Sequence, residues 1–136
     1  MRRFVLLLVL AAVVAGAFVP VRGALAITRP KPPVAVGIAE REHYISPYRR
    51  SVPVGLVKLN VRNFGEDTHN LVVRGPRGFM LVGPDVEPGT GASLLVRFRR
   101  PGTYKLLCTR ANHVSLGMKS KIKVVAPKKK KRRSRR

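Results

Sequence analysis

The sequence has no Trp, a single Cys, three His and only six acidic residues among 136 positions. One Cys excludes an intramolecular disulfide, and one Cys with three His excludes zinc-finger and iron–sulfur arrays, which need several thiolates. Any metal chemistry must draw on few ligands. No uncharged apolar run reaches the roughly 20 residues that span a bilayer, since the longest, Phe4 to Val19, is 16. A length of 136 residues also excludes a large multidomain enzyme and fits one domain with accessory segments. Against the scarce acid stand 28 Lys+Arg, for a formal net charge of +22, which calls for an anionic partner or surface.

The two ends of the chain read as accessory segments. Met1, Arg2 and Arg3 precede the apolar run, and Ala24-Leu25-Ala26 supplies a small-x-small cleavage pattern, so residues 1–26 are expected to be a secretory signal peptide. The alternative is an uncleaved anchor, against which the short run and Pro20 both count. Residues 27–33, with Pro30, Pro32 and Pro33, suggest an extended linker. Residues 127–136, Pro127 followed by Lys and Arg broken only by Ser134, should form a disordered basic tail. The folded unit is then 34–126.

That unit alternates with period two. Val57, Leu59 and Val61 alternate with Lys58, Asn60 and Arg62; Leu94 and Val96 lead into Arg97-Phe98-Arg99, where Phe98 should point in and both Arg out; Ile122 and Val124 alternate with Lys121 and Lys123. Gly and Pro clusters at 75–78, 83–84, 88–91 and 101–102 punctuate the pattern. Strands are expected near 34–39, 54–62, 69–74, 78–82, 93–98, 103–108 and 119–125. Seven short strands and no helical period predict an all-β fold, a two-sheet antiparallel β-sandwich with Greek-key connections.

The chemistry gathers in one constellation. His69 opens an apolar strand, while Cys108 ends another and is followed by His113 and Met118 in a Cys-x4-His-x4-Met spacing. A loop leaving at Cys108 and returning at Lys119 can fold His113 and Met118 back over the sulfur, with His69 arriving from a neighbouring strand. Two imidazoles and a thiolate in a plane with a weak axial thioether are the ligands of a blue-copper electron-transfer site. Zinc prefers a tetrahedral set without thioether, so Met118 favours copper.

In Thr68-His69-Asn70-Leu71-Val72-Val73, and from Pro101-Gly102-Thr103-Tyr104 through Cys108-Thr109 to Met118, the chain resembles the cupredoxin family of plastocyanin- and azurin-like proteins. The resemblance implies one type 1 copper ion. It also implies that Asn70 and Thr109 bond across the site, and that the Asn70 backbone N–H donates to the Cys108 sulfur and tunes the metal. Loop lengths from Cys to His to Met vary within the family, and four with four is not the commonest pairing in either named member.

Other readings weigh less. A Cys108/His113 nucleophile pair lacks an acidic residue nearby in sequence, with only Asn112 at hand, so no enzyme is expected. His43 reads as a surface histidine and Met80 as core. Lys119, Lys121 and Lys123 share one side of a strand, as do Arg97 and Arg99. The basic tail suits nucleic acid by charge, but a signal peptide and the lack of an aromatic stacking surface argue against it. An anionic envelope polymer, lipid headgroups or an acidic redox protein fit better. The sequence therefore predicts a secreted, periplasmic or envelope-associated monomer that carries single electrons between redox partners. The alternative is copper storage, delivery or resistance; a basic sandwich adhering to envelope polymers is a third.

Overall fold

The computed structural model describes residues 31–127. The expected signal peptide, most of the linker and the basic tail beyond Pro127 lie outside the described residues. The described residues form nine strands: β1 (Val34–Arg41), β2 (Tyr44–Pro47), β3 (Ser51–Pro53), β4 (Gly55–Asn63), β5 (His69–Arg74), β6 (Met80–Val86), β7 (Gly91–Phe98), β8 (Gly102–Leu107) and β9 (Lys119–Val125). One sheet has the order β2-β1-β4-β7 and the other β3-β9-β8-β5-β6. Between them lies one core, in which Val57, Leu59, Leu71, Val73, Leu106 and Ile122 are fully buried.

The alternation read from the sequence is the burial pattern of the strands, with Val57, Leu59, Val61, Phe98, Ile122 and Val124 inside and the charged residues between them outside. The connections are of the Greek-key kind. β4 passes to β5 across the sandwich, β5 and β6 form a hairpin, β6 meets β7 where the sheets come together, and β7 returns to β8 beside β5.

Three features differ from expectation. Both sheets are mixed rather than antiparallel, because β1 runs parallel to β4 and β3 parallel to β9. The added strands β2 and β3 are short and contain Pro47 and Pro53; each lies at a sheet edge, where a residue without an N–H breaks no ladder. The third is β6, which runs through Gly83-Pro84, read from sequence as a turn. Its register against β5 shifts between Asn70 and Val72, so the Gly-Pro pair is an irregularity on another edge strand.

The registers set direction. β1, β4 and β8 run toward one end of the sandwich, while β5, β7 and β9 leave it. Phe79 and Phe98 each pack edge to face against Tyr104 at the other end, with Phe98 and Tyr104 centroids 4.6 Å apart. The functional residues share the first end. Met80 is 59% exposed at the start of β6, so the core reading of that residue is corrected.

Candidate metal centre

The site is built where β8 ends and β5 begins. Cys108 follows the last residue of β8, and its chain does not turn directly into β9. It forms a loop closed by its own backbone: the Cys108 N–H donates to the Met118 carbonyl at 3.2 Å, and the Met118 N–H to the His113 carbonyl at 2.9 Å. Inside that closure the His113 N–H donates to Arg110 and the Leu116 N–H to Asn112, each at 3.1 Å. The backbone therefore fixes His113 between Cys108 and Met118. Gly117 has φ +103, a conformation that suits glycine, and it turns the chain into Met118.

His69 arrives on β5 after the β4–β5 turn, and Asn63 organises that turn. The buried Asn63 amide donates to the Asp67 carbonyl at 2.7 Å and the Val86 carbonyl at 2.9 Å, while its oxygen accepts the Gly65 N–H at 2.8 Å. The Glu42 carboxylate, from the β1–β2 turn, accepts the backbone N–H groups of Glu66 and Asp67, and these donors hold its carboxyl below the usual range. Neither Asn63 nor Glu42 stood out in the sequence. An Asn before Phe-Gly-Glu-Asp is the one available hint, since Asn commonly anchors turns through its side chain.

Three donor atoms converge. The Nδ1 atoms of His69 and His113 lie 3.2 Å apart, and the Cys108 Sγ lies 3.9 Å from the first and 3.5 Å from the second. All three residues are buried, and the atoms lie within 4.8 Å of one another. A trigonal metal with bonds of about 2.0–2.1 Å to nitrogen and 2.3 Å to sulfur requires edges of about 3.5–3.8 Å, so the triangle has the right size. The His69 Nε2 is buried without a hydrogen-bond partner, which costs about 1–3 kcal/mol. That atom lies on the far side of the ring from the triangle, so the fit to a metal cation rests on the spacing of the three donor atoms. Met118 is fully buried and packs in the same apolar cluster as Cys108.

The protonation states suit ligation. Burial, then repulsion from His113, pushes the His69 pKa down, so the ring stays neutral. Burial pushes the Cys108 thiol up, opposed by the backbone N–H groups of Asn70 and Arg110 aimed at the sulfur. Metal binding must displace that proton.

Around the donors, Asn70 and Thr109 tie β5 to the loop. The Thr109 N–H donates to the Asn70 Oδ1 at 2.8 Å, and the Asn70 amide donates to the Thr109 hydroxyl at 3.1 Å. Asp67, out of reach of His113 in sequence, approaches its Nε2 at 3.7 Å through space. His43 is half-buried, not a free surface residue, and its ring stands edge-on to His113 with centroids 5.5 Å apart.

Neither a protein-family model nor a curated protein sequence matches the chain. Solved structures do. Auracyanin from the photosynthetic bacterium Roseiflexus castenholzii superposes with a TM-score of 0.60 at 21% identity, covering 70% of this chain and 99% of its own. Auracyanin B gives 0.58 at 19% identity over 71% and 92%. Auracyanin A, a blue copper protein from the green thermophilic photosynthetic bacterium Chloroflexus aurantiacus, gives 0.54 at 16% identity over 71% and 100%. The chain has the cupredoxin fold. Nearly the whole of each auracyanin is matched by about 70% of this chain, which carries a His–Cys–His cluster at one end of the sandwich.

Proposed function

We propose that this cupredoxin-fold domain is a type 1 copper protein that carries single electrons outside the cytoplasm, in which His69, Cys108, His113 and Met118 would hold the copper. The observation that carries the reading is the triangle of Nδ1, Nδ1 and Sγ with edges of 3.2, 3.5 and 3.9 Å, buried and closed by the loop backbone. Copper bound there supplies a one-electron couple between Cu(II) and Cu(I). The likeness to auracyanins, one of them a blue copper protein, supports the choice of metal.

The chain's own residues hold the site still. Asn70 and Thr109 lock the two ligand-bearing segments together, the loop hydrogen bonds fix His113 and Met118, and the Asn70 and Arg110 N–H groups stabilise negative charge on the sulfur. A rigid donor set changes little between oxidation states, which is what electron transfer needs. Four ligands from the chain leave no position for a substrate, so the domain is a carrier rather than an enzyme. Delivery of copper as cargo would instead call for a site that opens readily, and this one is buried and cross-tied.

Adding Cu(II) to the purified protein should produce an intense visible band from thiolate-to-copper charge transfer at one copper per chain. Cys108→Ser should abolish the band. A colourless wild-type protein holding stoichiometric Cu(II) would overturn the type 1 assignment.

A further inference from the structure

The +22 charge is not spread evenly. All six acidic residues lie on β1, the β1–β2 and β4–β5 turns, or the end of β6 and the residue after it, at Glu40, Glu42, Glu66, Asp67, Asp85 and Glu87. A groove of about 1280 Å³, lined from β2, β5, β8 and β9, contains none of them. It is lined instead by Arg50, Arg74, Lys105, Lys119, Lys121 and Lys123, all exposed. Arg74 stands opposite Lys105 and Lys105 opposite Lys121, a row of three cations across adjacent strands. Like charges directly opposite in a sheet destabilise it. The ion pairs among the described residues are Arg110–Asp85 and His113–Asp67, so no carboxylate relieves the six.

The groove's position narrows its occupant. Leu107, Val114 and Lys119 also line it, each one residue along the chain from Cys108, His113 and Met118 respectively. From there Lys119, Lys121 and Lys123 continue down β9 for about 13 Å at strand rise. We propose that this groove is the docking face for an acidic redox protein, which it seats against the backbone of the metal loop. A two-dimensional array of cations suits a carboxylate-studded protein face, and such a partner gains from a seat beside the ligands. A linear polymer gains nothing from that placement. Charge complementarity then sets orientation and capture rate, and it weakens with salt. The proposal rests on the copper reading for the partner's redox character.

The test uses the full chain, isotope-labelled and loaded with Cu(I), titrated by NMR with oxidised flavodoxin as an acidic redox protein and in parallel with sodium polyphosphate. Flavodoxin should shift the amide signals of β8, β9 and the Lys119 end of the loop most. The triple variant Lys105→Glu, Lys121→Glu, Lys123→Glu should bind it about tenfold or more weakly with the basic tail unchanged. The variant carrying Gln at the same positions removes repulsion within the sheet, so it should fold at least as well and lose affinity to an intermediate degree. Shifts confined to other surfaces, or unchanged affinity in the variants, would overturn the docking face. Groove shifts with polyphosphate but not flavodoxin would also overturn it, in favour of a linear polyanion. The visible spectrum of the Cu(II) form of the same samples reports on the metal separately, so a failed copper reading shows as lost colour and not as lost binding.

Discussion

His113 uses its two nitrogens differently: Nδ1 faces the donor triangle, and Nε2 lies 3.7 Å from a carboxylate oxygen of Asp67. A carboxylate beside the far nitrogen of a ligating imidazole orients the ring and makes it a stronger donor. That favours the more highly charged metal state, so Asp67→Asn should raise the reduction potential with copper retained. Asp67 is largely exposed, so the effect should be about 1 kcal/mol or less, read by protein-film voltammetry. A lowered potential would contradict it. Glu40 presents the opposite situation, a carboxyl with 0% exposure and neither oxygen hydrogen-bonded. Burial pushes its pKa up to about 7 from 4.5. The folded state therefore keeps this proton between pH 4.5 and 7 while the unfolded chain loses it, so Glu40 makes stability fall as pH rises through that window, by about 3 kcal/mol. His69, with its pKa lowered, acts in the other sense, losing stability as pH falls from its ordinary value. Denaturant titrations of metal-free wild type and Glu40→Gln across this range isolate the first contribution. The Glu40→Gln curve should lack the fall above pH 4.5, and parallel curves would refute the assignment.

At the scale of elements, the ligand loop is held by backbone hydrogen bonds and one special dihedral. Gly117→Ala meets no clash, since its Cβ would lie 4.0 Å from the nearest heavy atom, the His43 carbonyl oxygen. The cost is strain at φ +103, about 1–3 kcal/mol. Thermal unfolding should detect the loss, and copper should be held less tightly because Met118 follows directly. Strand positions with alternating apolar residues were legible because burial on one face imposes period two, as in β4, β7 and β9. That Cys108 and His113 come together was legible for a similar reason, since a loop that must return to the adjacent strand keeps its residues close in space. What was not legible depends on partners distant in sequence. β2 and β3 are edge strands too short for a pattern, and β6 continues through Gly83-Pro84 because an edge tolerates the irregularity. Asp67 reaches His113, His43 meets the same ring edge-on, and Asn63 pins the turn only once β4, β5, the β1–β2 turn and the loop have assembled.

For the molecule as a whole, the donor cluster is buried at one end while positive charge lines the outer strand faces, including the groove that begins beside the metal loop. Arg74, Lys105 and Lys121 face one another across three strands, and Arg97 and Arg99 flank Phe98 on the outside of β7. With 16 basic against six acidic residues between positions 31 and 127, the compact state concentrates repulsion that the extended chain dilutes. The ion pairs of the described residues, Arg110–Asp85 and His113–Asp67, are partly exposed on at least one side and add little in return. Salt should therefore stabilise this protein rather than weaken it. Raising ionic strength from 0.01 to 0.15 M shortens the Debye length from about 30 to 8 Å, screening most of the repulsion between non-adjacent surface cations. The midpoint of thermal unfolding should rise over that interval in sodium chloride. The Gln variant at Lys105, Lys121 and Lys123 should show a higher midpoint at low salt and a smaller rise, because three of the opposing charges are gone. A midpoint that falls with salt in the wild type would mean that attractive pairs dominate the surface, and the charge row on β8 and β9 would then need another account.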